Sequence, residues 1–258
     1  MMCSHFLNEI TSGSPFASNW FLSSGSLMSY QSRQIDPLDS PHPIPWGWVL
    51  ATITAGSSGN LSRLYYYRSQ SLISPDQDYA AYSRIQIRVE PEYFRSCVTS
   101  VLFLENLRTG DLHAITPSAP LADNPFLDTG IDLLGRISMV IPVSWSASGD
   151  RLLAREFESL FGSDLASDYA VIVDRHGDQV YTVAPTRIQY TNAVLLGWSQ
   201  LYPERVLFRA GTLGEEYWPQ WTVDVHGQTT RAVGDRPLIY GQVLNSVWTG
   251  PQMQKHNS

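Results

Sequence analysis

The sequence predicts an all-β chain behind an irregular N-terminal arm, and three observations carry that reading. From Trp46 onward, short runs rich in Val, Ile, Tyr and Phe alternate with clusters of Gly, Asp, Asn and Pro. A polar turn phrase emptying into a strand occurs three times, as "SPDQDYAAYSRIQ" at 74–86, "SWSASGDRLLAR" at 144–155 and "GWSQLYPERVLF" at 197–208. A glycine hairpin signal follows each one, "NLRTGDL" around Gly110, "DRHGDQV" around Gly177 and "DVHGQTT" around Gly227.

Residues 1–45 form the arm. It is rich in Ser, Gly and Pro and ends in "DPLDSPHPIP", whose prolines suppress regular backbone hydrogen bonding. It also carries Phe6, Leu7, Phe16, Trp20, Phe21, Leu22 and Met28, more large apolar groups than a solvated segment needs. The arm is therefore expected to lie across its own domain or across a partner. Residues 46–250 form the β domain, and 251–258 a flexible tail.

Within the domain, "WVLATI", "RLYYYR", "YAAYSRIQIRV", "SVLFLENL", "LHAIT", "ISMVIPVSW", "YAVIVD", "QVYTV", "AVLLGWS", "RVLFRA", "WTVDV" and "PLIYGQVL" read as strands. "LLAREFESLFGSDL", 152–165, is ambiguous. Leu153, Phe157, Leu160 and Phe161 stand at helical spacing, so a short helix competes with a strand and loop.

The repeat sharpens the architecture. Ser74, Ser146 and Ser199 each precede a turn, and seven residues later stands Ala81, Leu153 or Val206 of the next strand. From serine to hairpin glycine the separations are 36, 31 and 28 residues, as one four-stranded unit with variable loops would give. These residues resemble blades of the TolB-like and WD40-like β-propellers, whose repeat runs from an apolar or tryptophan position through Ser-Pro-Asp-Gly into a strand. Ser74, Pro75 and Asp76 match, with Gln77 in place of the glycine. Trp145, Ser146 and Gly149 match with one extra residue between, and Trp198 and Ser199 match before the third copy diverges.

The resemblance covers roughly residues 62–233 and implies a small or incomplete β-propeller-like array of four-stranded blades. It implies no particular function. Three blades do not close a ring of the usual size. Either "WGWVLATI" and "PLIYGQVLNSVW" supply strands of a fourth blade, or the array stays open and is covered by the arm or a partner. Trp145 and Trp198 are expected where adjacent blades meet.

Composition narrows the chemistry. A net charge of −7 argues against general nucleic-acid binding. Lys255 is the only lysine and stands in the tail, which disfavours phosphate-loop, kinase and Schiff-base mechanisms. Cys3 and Cys97 lack metal-ligand spacing and are too few for a disulfide framework. The N-terminus lacks the pattern of a secretory signal, and no apolar run approaches a membrane span; a cytoplasmic protein is expected.

Individual motifs add little catalytic signal. Asp174 and His176, like Asp224 and His226, recur at equivalent hairpin positions, where Asp accepts backbone N–H groups of its own turn. "GSSGNLS", 56–62, lacks the phosphate-loop and nucleophile-elbow patterns and reads as a hairpin loop. Glu215 and Glu216 are adjacent and do not make a glycosidase pair. Tyr65, Tyr66 and Tyr67 alternate, sending Tyr66 to the face opposite its neighbours.

Large aromatics are the better lead, because Tyr, Trp and Arg anchor protein interfaces. The expectation is a non-catalytic interaction subunit or assembly factor without catalytic residues, cofactor or metal. Its partner is another protein or complex, self-association included. The candidate contacts are Phe16, Trp20, Phe21 and Leu22, within an interface over 14–30, and more weakly Tyr217, Trp218 and Trp221. A propeller-type hydrolase or a carbohydrate-binding module is the alternative.

Overall fold

The computed structural model describes residues 36–57, 61–120, 134–175 and 179–252. All of them fall in one compact unit, Ile35–Ser258. They are predominantly β-strand, arranged in two sheets. After one helix, α1 (Trp46–Gly56), comes β1 (Arg63–Arg68) and then three antiparallel meanders of consecutive strands. The first contains β2 (Ser71–Ile73), β3 (Tyr79–Val89), β4 (Cys97–Asn106) and β5 (Leu112–Ile115). The second contains β6 (Arg136–Trp145), β7 (Arg151–Leu160), β8 (Ala166–Asp174) and β9 (Gln179–Val183). The third contains β10 (Asn192–Ser199), β11 (Val206–Gly211), β12 (Gln220–Val223) and β13 (Thr229–Ala232).

Each copy of the turn phrase links the first two strands of one meander, and the first two copies do so through the same hydrogen bonds. Ser74 N–H donates to Tyr79 O, and Ser146 N–H to Arg151 O. The serine hydroxyls accept the return N–H groups of Tyr79 and Arg151, each at 3.0 Å. In the third copy Ser199 N–H donates to Arg205 O, so that turn is one residue longer. A one-residue slip flips a strand's faces. Val206 accordingly faces the second meander, whereas Ala81 and Leu153 each face the meander that follows. The equivalence expected of these three positions fails in the third copy for this reason. The turns also require left-handed backbone, supplied by Gln77 (φ 64°), Gly149 (φ 74°) and Glu204 (φ 73°).

The second meander is buried on both faces. Leu152, Ala154 and Val171 pack with Leu72, Leu102 and Leu104 of the first meander. Leu153, Ala170 and Ile172 pack with Leu195, Phe208 and Val223 of the third. A strand covered on both sides needs no apolar alternation, so the ambiguous 152–165 segment resolves as β7 and the turn that follows it. Trp145 lies in the first of these layers and Trp198 in the second.

The meanders are joined by side chains more than by ladders. A single parallel pair, Val98 with Ile137, connects β4 to β6. Beside it Ser100 Oγ accepts Val140 N–H at 2.6 Å. At the next joint Asp168 Oδ2 accepts Leu195 N–H at 2.9 Å, and Asn192 Nδ2 donates to Ala166 O at 2.7 Å. In both joints the third strand of one meander satisfies the edge of the first strand of the next.

The C-terminal segment crosses those first strands in turn. β14 (Pro237–Leu238) pairs with β10, Tyr240 bridges to Trp145 at the end of β6, β15 (Gln242–Leu244) pairs with β2, and β16 (Gly250–Gln252) pairs with β1. This strap needs Gly241 (φ 102°), where a Cβ would lie 2.7 Å from Ile73 O and 2.8 Å from Trp145 Cδ1.

"WVLATI" is not a strand, which corrects the sequence reading. It lies in α1, whose buried residues Val49, Thr52, Ile53 and Gly56 recur at helical spacing despite β-branched composition. Gly56 allows close approach, since a Cβ there would meet Val89 Cγ1 at 2.8 Å. A fourth unit built from this segment and the C-terminal one therefore does not form. "GSSGNLS" likewise begins at a helix end, with Ser57 as its cap, and not in a hairpin.

Candidate functional site

The strap carries the most exposed apolar row among the described residues. Val243 and Leu244 are exposed on β15, and the turn beyond presents Val247 and Trp248, 93% and 68% exposed. The ladder holding them is short, because β15 pairs over Gln242–Leu244 only. The turn itself is well made. Ser246 Oγ accepts Trp248 N–H at 3.3 Å, and Gln252 Nε2 donates to Trp248 O at 2.7 Å. Trp248 is thus held in place by its backbone while its indole faces out. Tyr66 and Leu64 of β1 are exposed as well, and Tyr66 pairs with Gln252.

The aromatic candidates named from sequence part company here. Phe16, Trp20, Phe21, Leu22 and the interval 14–30 lie outside the described residues. Tyr217 is 73% exposed. Trp218 is half-buried against the core near α1, sits on the bare backbone of Gly211, and donates its indole N–H to Thr212 O at 3.1 Å. Trp221 is half-buried against the layer between the second and third meanders. Of the three, Tyr217 alone projects freely. Tyr65 and Tyr67 pack on the core near α1 while Tyr66 turns outward.

Asp224 and Glu215 act on their own turns, whereas Asp174 stands 4.0 Å from Arg151 Nε of the adjacent strand. Asp224 Oδ1 accepts the N–H groups of His226 and Gln228, each at 2.9 Å, and Glu215 accepts Thr212 N–H. His176 lies outside the described residues. Among the described residues no group of three or more His, Cys, Asp or Glu side chains is placed to hold a metal ion, and no helix is long and apolar enough to cross a membrane.

The buried charges had no counterpart in the sequence reading. Arg155, fully buried on β7, donates Nε–H to Asp168 at 2.8 Å, and Nη1 to Asp36 at 2.6 Å and to His42 O at 2.6 Å. Asp36 also accepts the N–H groups of Leu38, Ser40 and Ile44. His42 Nε2 meets Leu196 O at 3.0 Å. One arginine therefore binds the 36–45 segment to the second meander, while its partner Asp168 reaches the third. Burial pushes Asp36 up, but Arg155 and the N–H donors outweigh it and leave it below the usual range. Burial dominates for the fully enclosed Asp168 and pushes it up. Burial likewise holds His42 below its ordinary value.

On the opposite face of β7, Glu156 is 0% exposed and accepts only Ser138 Oγ–H, at 2.8 Å. Burial, with Glu158 adding repulsion, pushes its carboxyl up to about 8. The available signal was "RLLAREFESL", where consecutive Arg155 and Glu156 must point to opposite faces of any strand; if both faces are covered, both charges are buried.

No protein-family model matches the chain, and no curated protein matches it.

Proposed function

We propose that the chain is a non-catalytic interaction subunit or assembly factor, built as a three-unit relative of the TolB-like and WD40-like β-propellers. The observation that carries this reading is the strap row of Val243, Leu244, Val247 and Trp248. These apolar side chains face outward on a backbone ordered by its own hydrogen bonds. Val243 and Leu244, as neighbours in a strand, point to opposite faces, so Val247 and Trp248 at the turn form the centre of the surface. Exposed apolar groups on a fixed backbone are characteristic of binding surfaces, because little ordering entropy is lost on contact. Tyr217 offers a second anchor, and Phe16, Trp20, Phe21 and Leu22 remain proposed contacts of the arm.

The test compares the intact chain with Val247→Asp/Trp248→Ala and with Tyr217→Ala, each verified to retain its β-sheet circular dichroism. Sedimentation velocity reports self-association, and crosslinking with mass spectrometry reports a heterologous partner. Association weakened at least tenfold by the strap variant supports the reading. Association unchanged by the strap variant, or none with any partner or copy, overturns it.

A further inference from the structure

We propose that Glu156 is a proton-operated latch on the joint between the first and second meanders. As a neutral acid it lies closed beneath the joint, and as a carboxylate it draws water in and loosens the contact of β4 with β6. The reaction is the ionisation of one carboxyl group, with its proton released to bulk water.

The geometry places Glu156 beside the joint of its sheet that has the shortest backbone ladder. β4 and β6 share one backbone pair, Val98 with Ile137. A polar relay adds to it: Val140 N–H donates to Ser100 Oγ, Ser100 Oγ lies 3.5 Å from Ser138 O, and Ser138 Oγ donates to Glu156 Oε1. Glu156 Oε2 has no hydrogen-bond partner. An ionised carboxylate with an unsolvated oxygen is far costlier to bury than a neutral acid.

The groups facing Glu156 reinforce this. Two residues along the same face of β7 stands Glu158, also buried. Tyr169 of β8 stands directly across from Glu156, its phenol pushed up to about 12 by burial and by Glu158, with Tyr190 beyond it. Arg136 shares the β6 face of Ser138 one pair further out, where it is opposite Leu160. β4 contributes Ser100 and Leu102, which do not ionise in this range. Arg155 and Asp168 lie on the other face of the sheet.

Glu156 has a folded-state value of about 8, above the ordinary 4.5. Its neutral form is fully tolerated below 4.5, and stability is lost as pH rises towards 8. The test is the difference between wild type and Glu156→Gln in urea-unfolding profiles from pH 5 to 9, which cancels His42 and Asp168. Relative to the variant, the wild-type folding constant should fall by up to about tenfold per pH unit within that window. Protection of the Val140 amide, corrected for base catalysis, should drop between pH 6 and 9 in wild type and not in Glu156→Gln. If that variant does not fold, carbon-13 titration of the Glu156 carboxyl in the wild-type chain decides. A flat difference profile, unchanged Val140 protection, or a Glu156 titration in the ordinary carboxylate range overturns the latch.

Discussion

The indole N–H of Trp145 donates to the carbonyl of Leu72 at 3.2 Å, tying the last residue of β6 to β2 of the neighbouring meander. Trp145 is fully buried, and its ring lies 6.4 Å from that of Tyr79. Its backbone N–H donates to Tyr240 O at 3.0 Å. One residue thus joins the first meander, the second and the strap. Trp145→Ala should cost about 3–5 kcal/mol through the cavity and the lost contact. Trp145→Phe should cost less, since it keeps most of the apolar volume. Equilibrium urea unfolding measures both.

Arg155 serves two buried carboxylates, Asp36 and Asp168. Arg155→Met should destabilise by about 3–5 kcal/mol, because both acids would be left unpaired in the core. Adding Asp36→Asn and Asp168→Asn to that variant should recover a large part of the loss. A double-mutant cycle measures the coupling, and strict additivity would mean that the cluster does not act as a unit.

The repeated turns were legible in the sequence because Ser74, Ser146 and Ser199 each donate a backbone N–H to the carbonyl of the returning strand, although only the first two accept the returning N–H on the hydroxyl while Ser199 Oγ accepts from Tyr202 within its turn. Local chemistry of this kind is written within a few adjacent residues. The helix at Trp46–Gly56 was less legible, since its Val, Thr and Ile residues favour strands, and it is burial of Val49, Thr52, Ile53 and Gly56 along one face that favours the helix. Arg155 and Glu156 were hidden for a different reason. Their burial depends on both faces of β7 being covered by meanders distant in sequence. The strap was legible only as one strand, "PLIYGQVL", whereas it forms two short strands, β14 and β15, on either side of Gly241, because pairing of two or three residues leaves almost no periodic signature of where each strand ends.

Gln77 occupies the left-handed position filled by Gly149 in the second turn. A side chain there costs about 1–2 kcal/mol of backbone strain, offset in part by the greater unfolded-state entropy of glycine. Gln77→Gly should therefore raise stability modestly, by up to about 1 kcal/mol. Glu204→Gly should gain less, because Glu204 pairs with Arg151. Thermal unfolding of the two variants side by side checks the order.

Asp76 ties the first turn to the second meander by accepting from Arg175 at 2.6 Å. Arg175 holds its carboxyl well below the ordinary value of 3.8, with burial opposing and Ser74 and Asp78 N–H assisting. A depressed folded-state value means that the contribution is complete above 3.8 and is lost as pH falls below it. Asp76→Asn should be less stable than wild type at pH 5, and the gap should narrow as the solution is acidified. Unfolding midpoints from pH 5 to 2 measure this, and a constant gap would contradict it.

The strap spans the first strands of all three meanders, and amide exchange at Trp145 tests this most directly. In the intact chain the Trp145 N–H, bonded to Tyr240 O, should be strongly protected. The N–H groups of Gln242 and Leu244, on the β15 pairing with β2, should share in that protection according to register. In a chain ending at Arg236, Trp145 protection should fall by at least tenfold while the β7–β8 ladder stays slow. A Trp145 amide that exchanges freely in the intact chain, or is equally protected without the strap, would contradict the account.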